Sequence, residues 1–235
     1  MNRPELATAL TELLSLDLPP VALSKVDARP PGVADTGRPV PSSCALWRVA
    51  EKGVFYAEAA EHFNCPVGAM VMGFEMPEEL NAELGGLVRS MCDARYLEES
   101  EVASIPSVRK PGVGVVYGPL ADLPVEPDVV LLWLTPAQAM IYNEAAGTAN
   151  WTSPGGQVTG RPACSAVALA TGTGQPRMAL GCIGMRTFTG IAADRMLAVL
   201  PGAAVAGFVE ALRVTVAANA GMKSFYEGKL AQFAF

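Results

Sequence analysis

Five cysteines (Cys44, Cys65, Cys92, Cys164 and Cys182) and one histidine, His62, carry most of the reactive chemistry this sequence offers. No two of the cysteines form a Cys-x-x-Cys pair, so the spacings of zinc ribbons, thioredoxins and ferredoxins are absent. Their settings say more. Cys44 and Cys164 each follow a proline-containing loop and lead into a helical stretch, in Pro41-Ser42-Ser43-Cys44 and Arg161-Pro162-Ala163-Cys164. Cys65 precedes Pro66, a residue at home in the first turn of a helix. Cys182 lies in Gly181-Cys182-Ile183-Gly184, where glycines permit close backbone approach. Backbone N–H groups in such settings stabilise a thiolate or an anionic cluster. Cys92 differs. It falls with Val88 and Met91 on the apolar face of a helix, as a small buried hydrophobe does.

Three chemistries compete for these residues. In the first, Cys44, Cys65, Cys164 and Cys182 hold a four-iron four-sulfur cluster, with structural zinc as the alternative metal. Zinc sites usually draw on close cysteine pairs, and their absence tilts the reading towards iron and sulfide. If only three cysteines ligate, one iron is open to a small anionic molecule, and a redox role brings in a partner protein. In the second, Cys65 or Cys182 is the nucleophile of a thiol enzyme. His62 stands three residues before Cys65, on the same face if both lie on one helix. In the third, the chain is a small-molecule-binding module without chemistry. Gly172-Thr173-Gly174 and the glycines of 155–160 read as turns and match no nucleotide-binding motif. Haem with a cysteine or His62 as axial ligand lacks the Cys-x-x-Cys-His signature. Arg161 and Arg186 stand near Cys164 and Cys182 in sequence. If those cysteines meet, the arginines can bind a carboxylate, phosphate or sulfonate beside them.

The elements that must position these groups can be read from periodicity and punctuation. Residues 4–16 carry Leu6, Leu10, Leu13 and Leu14 at helical spacing, and Pro19-Pro20 ends that helix before a short buried strand at Val21. A proline- and glycine-rich loop spans 29–42. A short helix follows Cys44, a strand covers Val54–Ala57, and Pro77–Met91 is an amphipathic helix with Leu80, Leu84, Leu87, Val88 and Met91 on one face. Gly112–Tyr117 reads as a strand. Asp128–Leu134 is apolar at every position after Asp128, as in a strand covered on both faces. Thr135 is placed to cap a helix starting at Pro136. Trp151–Gly160 reads as a loop, Cys164–Ala170 as a helix, Met178–Cys182 and Met196–Leu200 as strands, and the remainder as mostly helix. No internal repeat is visible. Interleaved strands and helices predict an α/β or α+β class with a mixed sheet. The chain reads as one domain over 1–235, with two lobes, 1–104 and 112–235, meeting near Ile105-Pro106 and Lys110-Pro111. Each lobe then supplies two of the four cysteines.

Composition bounds the rest. Apolar residues make up 51% of the 235 and charged ones 17%, which excludes a disordered chain. A net charge of −6 without a basic run argues against nucleic-acid binding. A single histidine excludes any metal site that needs two. The stretch Leu6–Leu18 is interrupted by Thr8, Thr11, Glu12, Ser15 and Asp17, unlike a secretory leader. Met196–Val209 is uncharged but carries Pro201, Gly202 and Gly207, and falls short of the roughly 18 apolar residues of a membrane span. A cytoplasmic protein with reduced thiols is expected.

Several blocks also carry a likeness. They are Pro20-Val21-Ala22, Cys44 followed by Val54-Phe55-Tyr56, His62 to Gly68 around Cys65-Pro66, and Gly114 to Leu120. Further on come Pro127-Asp128-Val129-Val130, Pro136 to Met140, Gly160-Arg161 leading to Cys164, and Gly181-Cys182 with Gly184 and Arg186. In these the chain resembles a bacterial and archaeal family known as domain of unknown function 169. The blocks run in order through most of the sequence. The family name confers no activity. The resemblance implies that Cys44, Cys65, Cys164 and Cys182 occupy positions where the pattern carries cysteine, and that Cys92 lies outside it. It therefore favours a shared site built from those four.

Overall fold

In the computed structural model, which describes residues 1–147 and 158–233, strands and helices alternate along the chain. The first helix, α1 (Arg3–Leu14), is capped by Asn2, whose side chain accepts the Glu5 N–H. There follow β1 (Val21–Val26), α2 (Ala45–Ala50), β2 (Phe55–Glu58), α3 (Pro66–Val71), α4 (Glu78–Asp93), α5 (Glu99–Val102) and β3 (Gly114–Pro119). The second part contains β4 (Val129–Leu134), α6 (Pro136–Ala145), β5 (Val158–Thr159), α7 (Ser165–Thr173), β6 (Arg177–Ala179), α8 (Ile183–Thr189), β7 (Met196–Pro201) and α9 (Val205–Leu230). Thr135 caps α6 as its sequence predicts, accepting the Gln138 N–H.

The strands form a seven-stranded mixed sheet in the order β2-β3-β1-β4-β7-β6-β5, antiparallel except between β5 and β6. Helices cover both faces, so the class is α/β. Side chains alternate across the pleat. Val129, Leu131 and Trp133 of β4 face one core with α2 and α7, and Val130, Leu132 and Leu134 face another with α1, α6 and α9. That double burial is why the β4 segment is apolar at successive positions.

The sheet contains a repeat that residue identities hide. In the first half, apart from α4 and α5 placed between α3 and β3, the chain runs β1, α2, β2, α3, β3, and β3 inserts between β1 and β2. In the second, apart from α6 and β5 placed between β4 and α7, it runs β4, α7, β6, α8, β7, and β7 inserts between β4 and β6. The registers agree: Val21 opposes Pro119 in one half, and Val129 opposes Pro201 in the other. The halves join where β1 and β4 pair antiparallel, which makes them related by an approximate twofold axis through that seam.

Some details differ from the sequence reading. β6 ends at Ala179, and Gly181, with φ +93°, turns the chain so that Cys182 starts α8 instead of ending a strand. β3, which follows the 103–111 segment, pairs with both strands that precede it. The division between equivalent halves falls at 120–128. Of the Trp151–Gly160 loop, all but 158–160 lies outside the described residues. Finally, Gly202–Leu230 is long and apolar enough to cross a membrane, with mean hydropathy 1.3. Its first turns pack into the domain through Val205, Phe208, Val209 and Leu212, and no later residue of α9 is buried.

Candidate functional site

The twofold path brings four cysteines to one place. Cys44 occupies the position before the first residue of α2, Cys65 that of α3, Cys164 that of α7 and Cys182 that of α8. Pro66 supplies the fixed φ that starts α3 directly after Cys65. All four line one cavity of about 540 Å³. Equivalent contacts recur in the two halves. The Gly68 N–H donates to Cys65 Sγ at 3.4 Å, and the Met185 N–H donates to Cys182 Sγ at 3.4 Å. Ser42 Oγ lies 3.0 Å from Cys44 Sγ.

Burial dominates the protonation of Cys44, Cys65 and Cys164. It pushes Cys44 up to about 11, against the hydrogen bond from Ser42, and it raises Cys65 despite the N–H groups of Gly68 and Ser43. It raises Cys164 well above the ordinary thiol value, and Cys65, Cys44 and Cys182 add to that rise electrostatically. A nucleophilic cysteine needs the opposite shift. Metal coordination, by contrast, deprotonates a thiol outright. Among the described residues, no group of three or more His, Cys, Asp or Glu is arranged to hold a metal ion.

His62 stands behind this cavity and does not line it. It is fully buried. A carbonyl can only accept, so Nδ1–H donates to Glu58 O at 2.8 Å, and Nε2 accepts from Tyr117 Oη at 3.0 Å. Burial lowers its pKa to about 4, which leaves a neutral ring at ordinary pH. Its link to Cys65 is through the backbone alone, the Cys65 N–H donating to His62 O at 3.1 Å. The two predicted arginines also part. Arg161 lines the cavity, its guanidinium 4.0 Å from the Tyr96 ring centre. Arg186 points elsewhere and donates to the carbonyls of Leu180, Ala193 and Arg195. Cys92 is half-buried and lies outside the cavity lining.

Residues 9–211 match the family designated domain of unknown function 169, described as uncharacterised ArCR. The chain belongs to that family. An uncharacterised protein of Methanocaldococcus jannaschii is 29% identical over 221 residues, covering 88% of this chain and 92% of the archaeal protein. No solved structure matches the chain. The stretch matched to domain of unknown function 169 contains all four cavity cysteines and stops near the last buried turn of α9.

Several features of this family member's site were not anticipated from sequence. Ser43 is buried beside Cys44, lines the cavity, and its Oγ has no hydrogen-bond partner. A Cβ on Gly68 would lie 2.6 Å from that Oγ and 3.2 Å from Cys65 Sγ, so only glycine fits there without displacement. The apolar stripe of α4 was legible, but its target was not: Leu87, Val88 and Met91 form a wall of the cavity.

Proposed function

We propose that the chain is a cytoplasmic iron–sulfur protein in which Cys44, Cys65, Cys164 and Cys182 ligate a four-iron four-sulfur cluster. One observation carries this reading. Two half-sheets with matching β1-β2-β3 and β4-β6-β7 paths each place two cysteines, at positions just before helices, in the lining of one cavity. A twofold arrangement of four thiolates suits a cubane, whose ligand positions are themselves related by twofold axes.

The absence of close cysteine pairs along the sequence favours a cluster over a single zinc ion. With Zn–S near 2.3 Å, tetrahedral zinc gathers its sulfurs to about 4 Å from one another. A cluster reaches its ligands across a wider gap, because its own sulfide and iron fill the centre. The residues around the cavity fit an anionic occupant. N–H groups already point at Cys65 and Cys182, and the Ser43 hydroxyl is unpartnered beside Cys44. A cluster held there supplies one-electron transfer, and an open coordination site if one iron lacks a thiolate. The protein's own part is to keep the site dry and to donate hydrogen bonds to sulfur, both of which tune the potential.

Anaerobic purification followed by iron and sulfide analysis tests the reading. About four irons per chain, with broad visible absorption that bleaches with dithionite, is the expected result. Serine at any one of the four positions lowers the iron content, and Cys92→Ser leaves it unchanged. A colourless protein that takes up no iron after reconstitution overturns the proposal, and one zinc per chain replaces it with a structural site.

A further inference from the structure

We propose that the outer part of the cysteine cavity binds a small organic acid with an apolar body, its carboxylate held by Arg161. The inference rests on the cluster reading for what lies at its inner end.

The cavity falls in the size range of small-molecule sites. Much of its wall is apolar, including Leu87, Val88 and Met91 on α4 and Ile183 and Phe188 on α8. These side chains stay unusually open for their size: Leu87 is 39% exposed, Phe188 46% and Ile183 68%. Of the sixteen residues of α4 only Leu84 is buried. An amphipathic helix normally buries its stripe against a core. Here the stripe faces the cavity, so an apolar guest gains the contacts that the protein does not supply.

Charge decides the other end of the guest. Arg161 is the single charged residue among the described residues that line the cavity, in a chain of net charge −6. Among the described residues no carboxylate pairs with it. Tyr96 covers one face of its guanidinium at 4.0 Å, which fixes the plane and leaves the N–H edge for a bidentate acceptor. Tyr96 is itself set by the turn that ends α4, where its N–H donates to Met91 O. One guanidinium matches a monoanion. A doubly charged phosphate would call for a second cation, and none lines the cavity.

Calorimetric titration of the full-length protein, iron-loaded and metal-free, with phenylacetate, 3-phenylpropionate and 4-phenylbutyrate tests this. The matching carboxamides and phenylphosphonate serve as controls. The expected result is binding of the acids at least tenfold tighter than their amides, with about fourfold gained per added methylene until the cavity is full. Arg161→Met brings each acid down to its amide and leaves the amides unchanged, and Phe188→Ser weakens acid and amide alike. Equal affinity for acid and amide, preference for phenylphosphonate, or unaltered acid binding in Arg161→Met overturns the proposal. Iron analysis on the same samples keeps the two readings apart. Acid binding to a protein that never takes up iron removes the cluster and leaves the acid site. Four irons per chain with no acid binding removes the acid site alone.

Discussion

The two halves of the sheet follow one path but are held together by different forces. The fifth residue of the first strand is Lys25 in one half and Trp133 in the other, and both are buried on the cysteine side of the sheet. Lys25 Nζ donates to Met72 O at 3.0 Å and Gly73 O at 2.8 Å, just past the end of α3, and lies 4.6 Å from the Phe74 ring centre. Burial lowers its pKa, and Asp128 acts in the opposite direction. Trp133 packs against Trp47, with ring centres 6.3 Å apart. The fourth residue of the third strand differs in the same sense: Tyr117, bonded to His62, against Val199, whose side chain joins the apolar core and whose carbonyl accepts from the Tyr142 hydroxyl. The helix behind Cys65 is therefore anchored by buried polar groups, and the second half by packing. A duplicated path does not require duplicated interactions. It requires only that each half deliver two cysteines to the same rim.

Substitution at the paired positions should separate the two modes. Trp133→Ala is expected to cost about 3–5 kcal/mol in denaturant unfolding, as large core truncations do. Lys25→Met should cost about 2–4 kcal/mol, because two buried carbonyls lose their donor. It should also speed alkylation of Cys65 more than that of Cys182, and equal rates at the two thiols would break the comparison. The polar half should be the pH-sensitive one. His62 has a folded pKa near 4 against an ordinary 6.5, so the unfolded chain takes up the proton first. The resulting stability is complete above about pH 6.5 and drains away as the pH falls towards 4, by about 3 kcal/mol in all. In His62→Gln that slope should be missing from unfolding curves recorded between pH 4 and 7. The smallest effects are expected at glycine. Gly68→Ala forces a Cβ onto Ser43 and Cys65 and should cost about 1–3 kcal/mol. In Gly184→Ala the nearest atom of Phe188 is 3.8 Å away, so the change should be neutral or stabilising by about 0.5 kcal/mol.

What could be read from the sequence followed from local chemistry. The proline-containing settings of Cys44, Cys65 and Cys164 marked helix starts, the unbroken apolar run marked a doubly covered strand, and Thr135 marked a cap; Cys182 marked a strand end, where the fold starts α8. The repeat was invisible because it resides in path and register, which constrain residue type weakly. Lys25 and Trp133, or Tyr117 and Val199, share nothing that a sequence comparison detects. The spacing of His62 and Cys65 implied a shared face only if one helix carried both. In the fold His62 ends a 3-10 turn, Ala59–His62, and Cys65 begins α3, so the periodicity breaks between them. Arg161 and Arg186 looked alike in sequence. Backbone carbonyls claim the second, and only tertiary structure supplies them.

Two half-length chains pairing about a twofold axis along the β1–β4 seam would assemble the same four-thiol rim. The architecture is thus that of a symmetric dimer fused into one polypeptide. The fusion runs through residues 120–128, where Pro124 and Glu126 are exposed. On the iron–sulfur proposal, cutting the chain there and co-expressing both pieces should restore iron binding by complementation, whereas either piece alone brings only two of the four proposed ligands.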